Sequence, residues 1–184
     1  MKKYKTIYAS PPWEFVKRSK DKPSWQMKTK DIIDMSSFVK KISDENSQLY
    51  LWVTNNFLQD GLKVMNAWGF RYITKITWLK RGNIGLGQYF RGVTEDCLFG
   101  VKGKVPYKIL DGKRQQGVTG FISPRGKHSE KPEEMRHMIE RVSYAPYVEI
   151  FARPPETDDI FKKADKGVWD YIGNEIDGTN IRHL

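Results

Sequence analysis

A single cysteine, Cys97, occurs in 184 residues, which excludes an intramolecular disulfide and a cysteine-built zinc site and fits a reducing cytosol. The three histidines, His128, His137 and His183, lack the spacing of metal ligands, so no metal is expected. No apolar run reaches the ~18 residues of a membrane span, and the basic start Met1-Lys2-Lys3 leads into no apolar signal core. The sequence therefore reads as soluble, unexported and cytoplasmic, with no membrane partner. Repeats and Ser/Gly linkers are missing as well. At roughly 100–200 residues per domain, residues 1–184 are expected to form one domain. Two nucleotide signatures are also missing. Gly100-Val101-Lys102-Gly103-Lys104 lacks the Gly-x4-Gly-Lys-Ser/Thr spacing of a phosphate loop, and Gly82 to Gly87 lacks the dinucleotide pattern.

What is present is a basic surplus. Lysine and arginine number 32 against 22 aspartates and glutamates, a net charge of +10 that favours a polyanionic partner, nucleic acid ahead of an anionic membrane surface. Apolar residues at 39% and charged residues at 29% are enough to close one core.

Strand and helix patterns alternate along the chain. Lys5 to Ala9 reads as a strand stopped by Pro11-Pro12, since neither proline can donate a ladder hydrogen bond. Ser36 or Ser37 can cap a helix carrying Phe38, Val39 and Ile42, and Gln48 to Val53 is an apolar strand. A helix with Leu58, Leu62 and Met65 on one face follows, stopped by Gly69. Arg71 to Lys80 and Glu95 to Val101 are strands separated by the Gly-rich loop Gly82 to Gly92, which is too long for a tight hairpin. Cys97 lies in that second apolar run and is expected to be buried. A polar, basic stretch from Lys102 to Gly117 leads to a short strand at Val118 to Ile122. Pro132-Glu133-Glu134 starts a helix whose buried stripe is Met135, Met138, Ile139 and Val142. Tyr147 to Ala152 and Trp169 to Ile172 are the last strands. The pattern predicts an α/β fold with a mostly parallel central sheet flanked by helices, and ligands then bind at the carboxyl ends of its strands.

The tetrapeptide Ser10-Pro11-Pro12-Trp13 stands at the end of the first strand, where such a crevice opens. Two prolines stiffen the backbone and leave their carbonyl oxygens without neighbouring N–H competitors, beside a large aromatic ring. This is a preorganised grip for a planar ring with an amine. The competing reading is a proline turn that packs Trp13 into the core.

Ser10-Pro11-Pro12-Trp13 resembles the (Asp/Asn/Ser)-Pro-Pro-aromatic motif of S-adenosylmethionine-dependent methyltransferases that modify exocyclic amines of adenine or cytosine. The chain is most similar to the messenger-RNA N6-adenosine methyltransferase family and its bacterial and phage DNA relatives. The similarity continues, in the family's order, through Leu49 to Val53, Trp78 to Lys80, Glu95 to Gly103, His128 to Met135, Glu149 to Pro154 and Gly173 to Gly178. It implies a Rossmann-like methyltransferase fold, with S-adenosylmethionine as cofactor. Ser10 Oγ and the Pro11 carbonyl would accept the two amine N–H groups, with Pro12 stiffening the turn and Trp13 stacked on the extruded base. The cofactor would be held by Ser10, Lys131, Phe151, Arg153, Asn174 and Glu175, with Lys131 on its carboxylate, Phe151 beside its adenosine and the last three on the ribose. Glu95 aligns with a substrate-pocket glutamate, and Trp25 lies near an acceptor-stacking position.

Three departures from the pattern matter. The adenine-specific members usually carry aspartate where Ser10 stands, and a hydroxyl accepts less strongly than a carboxylate. Serine there is common in cytosine-N4 enzymes. A cofactor-contacting histidine of the family is Pro155 here, and only nine residues precede Ser10, where a segment contacting the cofactor's adenine would lie. Both imply a modest cofactor grip. The expected activity is methyl transfer to adenine N6 in single-stranded or unpaired DNA, with RNA, a cytosine-N4 enzyme and a non-catalytic binding subunit as alternatives. A homodimer is expected through the Gly-rich loop. Lysines and arginines at Lys17 to Lys30 and Lys102 to Arg114 would contact phosphates.

Overall fold

Tyr4–Ala9 forms the first strand, β1, and stops where Pro11 and Pro12 offer no N–H to a neighbour. In the computed structural model, the described residues are 1–14, 26–82, 84–85, 87, 89–126, 130–152 and 169–173. After β1 come two short helices, α1 (Thr29–Asp34) and α2 (Ser36–Ile42), then β2 (Ser43–Val53) and α3 (Leu58–Ala67). The chain continues through β3 (Arg71–Arg81), β4 (Thr94–Lys102), a small hairpin of β5 (Ile109–Leu110) and β6 (Lys113–Arg114), and β7 (Gly120–Pro124). Helix α4 (Glu133–Val142) and strands β8 (Tyr147–Ile150) and β9 (Trp169–Ile172) complete it.

Seven strands form one sheet in the order β7-β3-β4-β2-β1-β8-β9. Every neighbouring pair is parallel except those of β4, which runs antiparallel between β2 and β3. This is the mostly parallel, helix-flanked sheet expected from the sequence, a Rossmann-like methyltransferase fold. From β1 the chain proceeds to β2 on one side, and from β8 to β9 on the other. The β1/β8 boundary is therefore the switch point at which open α/β sheets bind ligands.

Alternation along the strands gives the two faces different chemistry. Ile7, Ala9, Leu49, Leu51, Val53, Leu98, Val148 and Ile150 pack on one side against Ile32, Phe38, Val39 and Met65 of the three helices α1 to α3. Tyr8, Tyr50, Trp52, Ile76, Trp78 and Trp169 pack on the other against Met135 and Ile139 of α4. One face is aliphatic and the other aromatic. Aromatic side chains reach further, and among the described residues one helix, α4, packs on that face. Cys97 lies on the aromatic side, fully buried as expected.

Several details differ from the sequence reading. Leu62 is exposed, because the inward face of α3 is Gly61, Val64 and Met65; a Cβ at Gly61 would come within 2.3 Å of Val53. Neither Ser36 nor Ser37 caps α2: Met35 joins it directly to α1, and no side chain bonds the open turn. Pro132 is the residue before α4 and takes an extended conformation, not its first helical position. The β5–β6 hairpin was not foreseen, although its Asp111-Gly112 turn, with φ of 49° and 71°, carries the Asp-Gly signature of a two-residue loop. Among the described residues no helix is long and apolar enough to cross a membrane.

Candidate active site

The strand tips at the carboxyl edge collect most of the described residues singled out above. Ala9 of β1 is in register with Ile150 of β8, so Ser10 and Phe151 leave adjacent strands side by side. Ile150 in turn pairs with Ile172 of β9, and the Ala152 N–H donates to the Ile172 carbonyl at 3.2 Å. Phe151 takes φ of 63°, a left-handed conformation that a bulky side chain rarely adopts. Gly173 follows β9 so closely that a Cβ would lie 2.3 Å from the Ala152 carbonyl oxygen. Arg153, Asn174, Glu175 and Trp25 lie outside the described residues, as do Lys17, Arg18, Lys20 and Lys22.

The proline tip is more occupied than its composition suggests. The Trp13 N–H donates to the Pro11 carbonyl at 3.0 Å, and the Met27 N–H donates to the Pro12 carbonyl at 2.8 Å. The expected lack of N–H competitors therefore does not hold, because the chain returns at Met27 to bridge Trp13. Each carbonyl keeps a second lone pair. Trp13 is 5% exposed; its ring stacks on Phe57 with centroids 5.2 Å apart, and its Nε1–H donates to the Trp52 carbonyl at 3.0 Å. The ring thus anchors the tetrapeptide here and presents no open face for a base. A buried indole needs an acceptor for its N–H, and Trp52 supplies one.

Because β4 runs against its neighbours, its first residues return to the same edge as the tips of β2 and β3. Glu95 stands there opposite Trp78, buried to 6% exposure. One carboxylate oxygen accepts from Lys131 Nζ and the other from Lys80 Nζ at 2.8 Å. Burial would push the Glu95 carboxyl up, but the charges and hydrogen bonds of the two lysines outweigh it and hold the group below the ordinary range. Lys131 lies over the Trp52 ring at 5.2 Å and Lys80 over the Trp78 ring at 4.9 Å. The two indoles meet edge to face, 6.1 Å apart. Trp52 Nε1–H donates to Tyr8 Oη at 2.7 Å and Trp78 Nε1–H to the Ser123 carbonyl at 2.9 Å. A groove of about 420 Å³ opens beside Lys131, lined also by Ser123, Arg125, Glu134 and His137.

The structure therefore joins Lys131 and Glu95, given separate roles from the sequence, in one ion pair, and adds Lys80, which had none. The available signal was the two-residue period of β3, which puts Lys80 on the same face as Trp78. Asp96 was also missed. It faces the other side of the sheet, where Lys75 Nζ at 2.9 Å and Thr77 Oγ1 at 2.6 Å donate to it.

An open α/β sheet with its ligand edge at a Ser-Pro-Pro-Trp tip defines the class: a Rossmann-like methyltransferase domain. Residues 4–164 match the MT-A70 family model, and the chain belongs to that family. Over 97% of its length it is 26% identical to the human N(6)-adenosine-methyltransferase catalytic subunit METTL3, of which it covers 29%. It is 24% identical, over the same share, to the N(6)-adenosine-methyltransferase MT-A70-like protein of Drosophila melanogaster. Over 83% of its length it is 30% identical to the type II methyltransferase M.MunI of a Mycoplasma species, of which it covers 73%. The chain thus spans less than a third of the human relative. MT-A70 methyltransferases use S-adenosylmethionine as methyl donor. The chemistry of the residues present fits such a donor: the Lys131 ammonium, now paired with Glu95, could meet its carboxylate, and the half-buried Phe151 ring could lie beside its adenosine.

Proposed function

We propose that this chain transfers a methyl group from S-adenosylmethionine to the exocyclic N6 amine of adenine in single-stranded or unpaired DNA. The observation that carries the reading is the register of Ala9 with Ile150, which sets Ser10 beside Phe151 at the switch point of the sheet. An aromatic amine is a weak nucleophile because its lone pair is delocalised into the ring. Ser10 Oγ and the remaining lone pair of the Pro11 carbonyl accept its two N–H groups and draw the nitrogen toward tetrahedral geometry. The donor, when bound, supplies an electrophilic sulfonium methyl. Lys131, Phe151, Arg153, Asn174 and Glu175 hold that donor, and Trp25 and Glu95 border the acceptor pocket. Trp13 fixes the tip through Trp52 and Phe57.

The relatives named N(6)-adenosine-methyltransferases favour adenine, and the type II methyltransferase favours DNA. Unpaired substrate is favoured because extruding a paired base costs a few kcal/mol. The net charge of +10 suits a polyanionic strand. A cytosine-N4 reading rests on one observation, the neutral Ser10 in place of a carboxylate. We further infer a homodimer through the loop between β3 and β4, where Tyr89 and Phe90 are each 92% exposed.

The test is incubation of the pure protein with labelled donor and A-only, C-only, duplex, single-stranded and RNA oligonucleotides, followed by identification of the modified nucleoside. Label in N6-methyladenine from single-stranded DNA is expected. Label confined to cytosine would move the assignment to N4, and label in no oligonucleotide would leave a strand-binding subunit. Light scattering at micromolar concentration should give twice the monomer mass.

A further inference from the structure

Glu95 is one carboxylate held by two ammonium groups, Lys131 on one oxygen and Lys80 on the other. All three side chains are largely withdrawn from solvent, at 8%, 16% and 19% exposure for Glu95, Lys131 and Lys80. The cluster therefore carries one surplus positive charge in a place where water screens poorly. A site of that kind is completed by an arriving anion. Lys131 lines the open groove, whereas Lys80 is not among the groove's lining residues and lies over Trp78 on β3. We propose that Lys131 is the exchangeable member, moving from Glu95 to an anionic group of the ligand, and that Lys80 is a positioning residue that keeps Glu95 charged and in place during the exchange.

The physical reason is the cost of an unpaired buried charge. If Lys131 alone neutralised Glu95, handing it to a ligand would strand a carboxylate, which would then hold the lysine back or take up a proton. With Lys80 on the second oxygen, Glu95 keeps a partner in both states. The groove beside Lys131 also bears the charged or titratable side chains of Arg125, Glu130, Glu133, Glu134 and His137. Within β4, Cys97 shares the face of Glu95 as a buried thiol, and Asp96 points to the opposite face, to Lys75 and Thr77. From β2 the facing residue is Trp52, bonded to Tyr8 of β1, and from α4 the Glu134 carboxylate accepts from Ser123 of β7 at 2.9 Å. The anion is the carboxylate of the methyl donor or a phosphate of the acceptor strand. This inference rests on the site reading above.

The experiment measures binding of S-adenosylhomocysteine, of methylthioadenosine, which lacks the amino-acid carboxylate, and of a short single-stranded oligonucleotide. The proteins are the wild type, Lys80→Met, Lys80→Arg, Glu95→Gln and the Lys80→Met/Glu95→Gln double variant. Lys80→Met should weaken the anionic ligand about ten-fold, with a further loss as pH rises from 5.5 to 8 because Glu95 must now bind a proton on exchange. Wild type and Lys80→Arg should show neither effect. Calorimetry in buffers of different ionisation enthalpy should detect proton uptake in Lys80→Met alone. In the Glu95→Gln background the Lys80 substitution should have no effect, a result independent of how well Lys80→Met folds. A loss confined to S-adenosylhomocysteine identifies the donor carboxylate, and a loss confined to the oligonucleotide identifies phosphate. An equal loss for methylthioadenosine, or wild-type affinity and pH dependence in Lys80→Met, overturns the inference while leaving the site reading intact. A wild-type protein that binds none of the three overturns both.

Discussion

The indole N–H of Trp13 donates to the main-chain carbonyl of Trp52 at 3.0 Å, so the proline tip of β1 is tied to β2 by a side chain. Trp13→Ala should cost about 3–5 kcal/mol, since it removes a buried aromatic, its stacking on Phe57 and this bond together. Trp13→Phe keeps a ring and should cost about 1–3 kcal/mol for the unsatisfied carbonyl. Urea unfolding measures both. A Trp13→Phe protein that is fully folded should retain methyl transfer; complete loss in a folded sample would mean that the indole itself touches the acceptor.

The Glu95 carboxyl is held below its ordinary value of 4.5, so its sign follows the depressed-acid case. Its stabilisation is complete above that value and fades as pH falls through the lower, folded-state value. Glu95→Gln leaves two lysines without their shared partner and should cost roughly 3–5 kcal/mol at pH 7. The gap between wild type and Glu95→Gln should close below the ordinary carboxylate range. Thermal melts of both proteins between pH 7 and pH 3 provide the check.

Gly173 sits where a Cβ would come within 2.3 Å of the Ala152 carbonyl oxygen, which is backbone and cannot swing aside. Gly173→Ala should push the tips of β8 and β9 apart. The expected result is weaker binding of S-adenosylhomocysteine by calorimetry, with less effect on affinity for an oligonucleotide. An unchanged donor affinity would place the donor away from these tips.

Burial raises the Cys97 thiol well above its ordinary value, and the side chain is fully enclosed. A coloured thiol reagent should therefore leave the native protein unlabelled over minutes at pH 8 and react once per chain in denaturant. Methyl transfer should be unaffected by the reagent under native conditions. Rapid native labelling would show that the aromatic face opens.

Most of the sheet was legible because its strands are short apolar or β-branched runs between strong stops, as in Tyr147 to Ile150 and Gln48 to Val53, which are buried on both faces. The antiparallel direction of β4 was not, since a largely buried run such as Glu95 to Val101 reads the same in either direction. That direction is what carries Glu95 to the ligand edge and within reach of Lys131, so their pairing could not be read from separate motifs. Leu62 misled because helical spacing alone does not show that Gly61 makes room for Val53. Ser10 and Phe151 were singled out by resemblance to separate motifs, and the register of Ala9 with Ile150 sets them side by side. Lys80 passed unnoticed because a lysine at a strand end is usually a solvated terminus, and only its partner's burial gives it a role.

β1 lies between β2 and β8, so it leaves the ribosome before either neighbour and gains the second only when the chain has been made as far as Ile150. Until then its free side is an unpaired ribbon of N–H and carbonyl groups bordered by apolar side chains. A nascent or truncated chain ending before β8 would expose that ribbon in the middle of the future sheet, immediately below Ser10. Completion of the fold and assembly of the site are thus one late, long-range event in synthesis.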